Sequence, residues 1–117
     1  MRTIIAGSRS ATYNDVEQAL NACDFTKSIS AVISGTVNGA DYFGEQWAIR
    51  NSIPIFRFPA NWSQYGKSAG GIRNWEMAEN ADALIAIWDS ASKGTKHMIT
   101  CDKAKNLLIF VFYFKEV

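Results

Sequence analysis

The sequence predicts an α/β fold, a doubly wound five-stranded parallel sheet with helices on both faces, and three observations carry that expectation. Five short apolar runs, at about residues 3–7, 30–34, 54–58, 83–88 and 107–114, hold few interior charges, as strands covered on both faces do. Four stretches of helical character lie between them, at 14–23, 41–51, 70–80 and about 95–105, so strand and helix alternate and the series closes on a strand. Such alternation within 117 residues implies right-handed crossovers and one sheet, with the Rossmann-like order 3-2-1-4-5 favoured over the flavodoxin-like 2-1-3-4-5.

Each element has a local reason. The first run, Thr3 to Gly7, breaks at a glycine. In the helix after it, Val16, Ala19, Leu20 and Cys23 recur at three- and four-residue spacing behind Asn14, the expected N-cap. The second helix does the same with Phe43, Trp47 and Ala48 behind Asp41, which is read first as that helix's cap. Pro54 and Pro59 bracket the third strand. Repeats and linkers are not visible, so residues 1–117 are expected to form a single domain.

Composition bounds the function. Hydrophobic residues make up 48% and charged residues 20%, an ordinary globular balance that argues against disorder or a fibrous repeat. A net charge of +1 lacks the basic surplus that many phosphate contacts would need, which argues against nucleic acid as a partner. Cys23 and Cys101 lack CxxC spacing, so neither a zinc site nor a disulfide framework is expected and a reduced, cytoplasmic compartment fits. Nothing resembles a targeting peptide or a membrane span. Neither a metal nor a required cofactor is expected.

In an open α/β sheet, ligands bind beyond the carboxyl ends of the strands, where the strand order reverses. Three loops there are small, polar and glycine-bearing: Gly7-Ser8-Arg9-Ser10, Ser34-Gly35-Thr36-Val37-Asn38-Gly39-Ala40-Asp41, and Asp89-Ser90-Ala91-Ser92-Lys93-Gly94-Thr95. Glycine admits close approach of backbone N–H groups, hydroxyls add donors and a following helix N-terminus adds partial positive charge, which together suit a phosphate. Many α/β domains carry Gly/Ser turns that bind nothing; three on one sheet edge make the functional reading stronger. With neighbouring first and fourth strands, the first and third of these loops face each other, which is why 3-2-1-4-5 is preferred. Neither GxxxxGK[ST] nor a correctly placed GxGxxG is present, and the acidic residues of a receiver domain are missing.

Residues 59–74 form a long polar and aromatic connection into the third helix. Arg73 and Asn74 are expected in that helix's first turn, where a cation gains nothing from the helix dipole and an anionic neighbour compensates it. The plainer alternative for Arg73 is a surface salt bridge with Glu76 or Asp82. Trp62 and Tyr65 are expected to wedge the loop onto the core, with stacking on a base as the alternative. Met77 is expected in the core, and His97, the single histidine, borders the proposed crevice.

Taken in order, Ile5-Ala6-Gly7-Ser8-Arg9, Ile33-Ser34-Gly35 with Asn38-Gly39-Ala40-Asp41, Phe58-Pro59-Ala60-Asn61-Trp62, Tyr65-Gly66-Lys67-Ser68-Ala69-Gly70, Ile72-Arg73-Asn74 and Ser92-Lys93-Gly94-Thr95 resemble the YspA/YpsA-like branch of the SLOG superfamily. That superfamily also holds the Lonely Guy phosphoribohydrolases and the DprA/Smf proteins. The resemblance implies a pocket for nucleotides or for NAD- and ADP-ribose-derived ligands, a bacterial or phage cytoplasmic setting, and dimers built across helices flanking the pocket, to which the apolar stretch Leu107 to Phe114 would add. Two departures matter. Lonely Guy enzymes carry a catalytic Glu in Gly-Gly-x-Gly-Thr-x-x-Glu; Gly94-Thr95 match the Gly-Thr, but Met98 stands at the Glu position. A thioether can neither accept a proton nor stabilise an oxocarbenium-like centre, so binding is better supported than hydrolysis. At Thr36 many relatives have a further glycine, and a β-branched residue there narrows the backbone angles.

The expectation is therefore a protein that senses or sequesters a phosphorylated, nucleotide-derived small molecule, including ADP-ribose, NAD-type or cyclic nucleotide signals. Gly7, Ser8 and Arg9 would hold one phosphate edge, Ser92, Lys93, Gly94 and Thr95 the facing one, and Arg73 with Asn74 the charge between. Ser34, Gly35, Thr36, Gly39 and Asp41 would line the side, with Asp89 and His97 at the border. The enzymatic alternative is an N-glycohydrolase that uses Asp41, Asp89 or Glu76 in place of the missing Glu. A third reading is a protein- or single-stranded-DNA-binding module of DprA type. A homodimer or higher homo-oligomer accompanies all three.

Overall fold

A computed structural model describes residues 1–114. It contains a five-stranded parallel sheet in the order β3-β2-β1-β4-β5, formed by β1 (Arg2–Gly7), β2 (Ala31–Ser34), β3 (Ile55–Arg57), β4 (Ala83–Trp88) and β5 (Leu108–Tyr113). The order is the expected one. The helices are α1 (Tyr13–Ala22), α2 (Ala40–Arg50), a one-turn α3 (Trp62–Tyr65), α4 (Ala69–Glu79) and α5 (Lys93–Ala104), with 3₁₀ turns at Thr26–Ser28 and Gly66–Ser68.

Successive strand residues point to opposite faces, so β1 and β4 each feed two cores. Ile5, Ile85 and Ile87 pack with Val16, Leu20 and Trp47 of α1 and α2; Ile4, Ala6, Leu84 and Ala86 pack with Met77, Met98 and Ile99 of α4 and α5. Sheet order reverses between β1 and β4, which places the C-terminal ends of these central strands under the loops that carry the glycines. Cys23 and Cys101 are free and buried. No helix among the described residues is long and apolar enough to cross a membrane.

Several local expectations are corrected. The cap of α1 is Thr12, two residues before Asn14: its side chain accepts from the Asp15 amide at 3.2 Å while Asp15 accepts from the Thr12 amide at 2.9 Å, a reciprocal box that starts the helix at Tyr13 and leaves Asn14 inside it. Asp41 lies inside α2, whose N-cap position is Gly39. The connection after β3 is largely helical, because the Asn61 side chain accepts from the Gln64 amide and starts α3, and α4 begins at Ala69. Arg73 and Asn74 consequently sit in the second turn of α4. Trp62 and Tyr65 stay outside the core, with Trp62 59% exposed.

On α5, Asp102 is fully buried and neither of its carboxylate oxygens has a hydrogen-bond partner among the described residues. Burial pushes its pKa up to about 7 from an ordinary 3.8. Between pH 4 and 7 the folded chain therefore keeps a proton that the unfolded chain has released, and stability falls as pH rises through that window. Asp102→Asn lacks this fall. Its urea midpoint is expected to match the parent's below pH 4, to exceed it increasingly from there to about pH 7, and to hold that margin at pH 8.

Candidate functional site

The loops after β1 and β4 meet. The Ser8 amide donates to the Ile87 carbonyl at 2.9 Å, and the Ser8 hydroxyl accepts from the Asp89 amide at 3.0 Å. The Ser8 carbonyl accepts from the amides of Ala11 and Ala40, both at 3.2 Å, which draws the loop after β2 onto the same corner. That approach needs Gly39: its φ is +84°, and a Cβ there would stand 2.4 Å from the Arg9 carbonyl oxygen and 2.5 Å from that of Ser8.

Between these loops and α4 lies a cavity of about 180 Å³. Gly7, Arg9, Asp41, Arg73, Asn74, Ser92, Gly94 and Thr95, all singled out from the sequence, line it. So do Ala6, Val37, Met77, which was expected in the core, and Met98, which stands at the Glu position. Ser92 caps α5, its hydroxyl oxygen accepting from the Thr95 hydroxyl at 3.1 Å and the Thr95 amide at 3.4 Å, and Lys93, Gly94 and Thr95 form the helix's first turn instead of a loop. The Lys93 and Gly94 amides have no protein acceptor among the described residues, as the first turn of a helix dictates. They form a partial positive pole at the cavity's edge.

Arg73 crosses from α4 to the loop after β2, where its Nη1 donates to the Gly35 carbonyl, and its Nε donates to Asn74 Oδ1 at 3.0 Å. The expected alternative partners are elsewhere: Glu76 is exposed, and Asp82 lies 3.9 Å from Arg2. Asn74, buried, turns its Nδ2 to His97 Nδ1 at 3.1 Å. Since that nitrogen of Asn74 can only donate, His97 Nδ1 accepts and its proton sits on Nε2. His97 thus stands behind Asn74 as its support.

Asp41 is the one carboxylate on the cavity wall among the described residues. Burial pushes its pKa up to about 6, held there against further rise by the Val37 amide, 3.3 Å from Oδ2, and by the Arg73 charge. Burial lowers the Arg73 pKa in turn, and Asp41 counters it.

The remaining sequence candidates do not line the inner cavity. Ser8 is buried and engaged as described. Ser34 Oγ donates to Glu45 at 2.6 Å and accepts from the Thr36 amide at 3.1 Å. Glu45 is a buried carboxylate that sequence reasoning missed; Arg57 of β3 holds it at 2.8 Å. Asp89 accepts from the Ala91 and Ser92 amides, both at 2.8 Å, which hold its pKa below the ordinary value and leave it a loop staple. The Lys93 side chain is exposed, while Gly35 and Thr36 belong to an outer cavity discussed below. Among the described residues no group of three His, Cys, Asp or Glu side chains is placed to hold a metal ion.

Thr36 adopts φ +65°, a left-handed conformation costly for a β-branched residue and imposed by its neighbours' hydrogen bonds. Thr36→Gly is expected to raise stability by about 1 kcal/mol, the relieved strain outweighing the extra entropy of the unfolded chain. Urea denaturation reads this directly.

A family model described as YAcAr, the YspA, cpYpsA-related SLOG family, matches residues 1–65. No curated protein matches the chain. Among solved structures, the X-ray structure of DNA processing protein A (DprA) from Streptococcus pneumoniae superposes with a TM-score of 0.74 over 94% of this chain at 13% identity. The chain spans about half of that structure, covering 49% of it.

Proposed function

Because the chain belongs to the YspA, cpYpsA-related SLOG family, we propose that its crevice binds a phosphorylated, nucleotide-derived small molecule in order to sense or sequester it. One observation carries this reading: the open first-turn amides of α5 and the Arg73 guanidinium converge on the same small cavity, over a floor of Ala6, Met77 and Met98. Fixed donors on an apolar floor favour a compact anion with a nonpolar or sugar-like neighbour. The donors are preorganised, since Asn74 and Gly35 hold Arg73 and Ser92 holds α5. ADP-ribose, NAD and cyclic nucleotides all present that chemistry.

Asp41 supports a second reading, an N-glycohydrolase. Of the three carboxylates considered, Asp89 is committed to its own loop and Glu76 is exposed, whereas Asp41 lines the cavity and is poised near neutrality, as a general acid would be. Met98, in the floor, supplies no second group.

A thermal-shift screen of mononucleotides, ADP-ribose, NAD and cyclic nucleotides tests binding. A ligand at about a hundredfold over its Kd stabilises by about 2.7 kcal/mol and raises Tm by several degrees. Analysis of the same mixtures for free base or ribose phosphate separates holding from hydrolysis; product that vanishes in Asp41→Asn would favour the enzyme. An oligonucleotide arm tests the DNA-binding reading, which rests on fold alone and faces a net charge of +1.

A further inference from the structure

The crevice does not end at the inner cavity. It continues into an outer one of about 310 Å³, whose wall includes Thr36, Asn38, Pro59, Ala60 and Trp62. Arg9, Val37 and Arg73 line both. The two are lobes of a single crevice, and the divide between them carries two guanidinium groups. Arg9 forms no ion pair among the described residues.

Trp62 is the notable wall of the outer lobe. It opens α3, and that turn is fixed: Asn61 Oδ1 accepts from the Gln64 amide at 3.1 Å and the Ser63 hydroxyl at 2.9 Å, while its Nδ2 donates to Gln64 Oε1 at 3.0 Å. The indole edge lies 3.6 Å from where a Cβ on Gly70 would stand, so the bare backbone of α4 gives the ring a seat. Yet 59% of the residue is exposed, and among the described residues its ring enters no aromatic pair and no cation–π contact. A large planar group is therefore anchored at its base and edge and left without a stacking partner beside a cavity that joins the anion site.

We infer that the outer lobe is a ring-binding subsite, in which Trp62 stacks on the planar base of a ligand whose phosphate occupies the inner lobe. Trp62 is then the residue that selects base-bearing ligands over bare sugar phosphates. The inference rests on the inner cavity being the phosphate site. Arg9 and Arg73 at the divide face the sugar-phosphate link between the two lobes, which favours one ligand spanning both over two separate occupants.

The test is calorimetric titration of the parent, Trp62→Ala and Trp62→Phe with ribose 5-phosphate, AMP and ADP-ribose. Because Trp62 contributes nothing to the core, the variants are expected to fold, and Tm checks this. The parent should bind the tighter of AMP and ADP-ribose at least about tenfold more strongly than ribose 5-phosphate, in keeping with alanine scans of base–aromatic stacking. Trp62→Ala should erase most of that margin and leave ribose 5-phosphate within about twofold; Trp62→Phe should keep most of it. Equal affinity of the parent for all three, a margin that survives Trp62→Ala, or equal weakening of every ligand would overturn the subsite while leaving the inner site standing. Failure of all three to bind would remove the inner site and the subsite together.

Discussion

Replacing Gly7 by alanine is expected to cost about 4 kcal/mol and to lower Tm by about 15 °C, a severe effect for one methyl group. Gly7 ends β1 opposite Ile87 of β4, and a Cβ there would stand 2.0 Å from the Ile87 carbonyl oxygen, 2.8 Å from its carbon and 3.0 Å from Ala40 Cβ. The first two obstacles are backbone, so no rotamer change relieves them. Relief requires parting β1 from β4 at the point where Ser8 donates to the Ile87 carbonyl, and this would open the corner on which three loops converge. Gly94→Ala is the control. A Cβ at that position meets nothing within 4 Å, and alanine is the better helix former, so Tm should hold or rise slightly. Thermal denaturation of the pair followed by circular dichroism reads both outcomes, and equal Tm values would refute the close approach of the two strands.

Arg73→Ala should abolish the ligand-induced rise in Tm, with affinity for any phosphorylated ligand reduced about a hundredfold. The guanidinium is half-buried and oriented from two sides, by the Gly35 carbonyl and by Asn74, so its charge is delivered to the cavity with little left to order on binding. Its loss also strips Asp41 of the neighbouring cation, which should push that carboxyl further above its value of about 6. Arg73→Lys keeps the charge but cannot engage Gly35 and Asn74 together, and should recover only part of the affinity. The measurement is calorimetric titration with whichever nucleotide shifts Tm most in the parent.

Strand order was legible because its determinants are local: apolar runs of strand length, separated by amphipathic stretches, leave few ways to bury both faces of a parallel sheet. The meeting of the β1 and β4 loops followed from that order. Capping was legible in principle, since Thr12-x-x-Asp15 has the spacing of a reciprocal box, but Asn14 lay nearer the first apolar residue and drew the assignment. Asp41 and Glu45 were harder. They lie four residues apart on one face of α2, with Ala48 continuing that face into the core, and acidic residues on a buried stripe contradict the usual sorting by polarity. What stabilises Glu45 is Arg57 on strand β3, a partner no local pattern reveals. Trp62 failed in the opposite sense: a tryptophan in a long connection normally seeks the core, and only the three-dimensional seat on Gly70 shows why this one does not.

The central claim is that a phosphate rests between the first turn of α5 and the Arg73 guanidinium. A ¹⁵N-resolved NMR titration with ADP-ribose or AMP tests it most directly, because each donor reports separately. The account predicts saturable shifts concentrated on the Lys93, Gly94 and Thr95 amides and on the Arg73 side-chain Nε–H, with Gly7 following. Signals that stay still at these positions while the nucleotide binds elsewhere, or no shift at all at millimolar ligand, would contradict it.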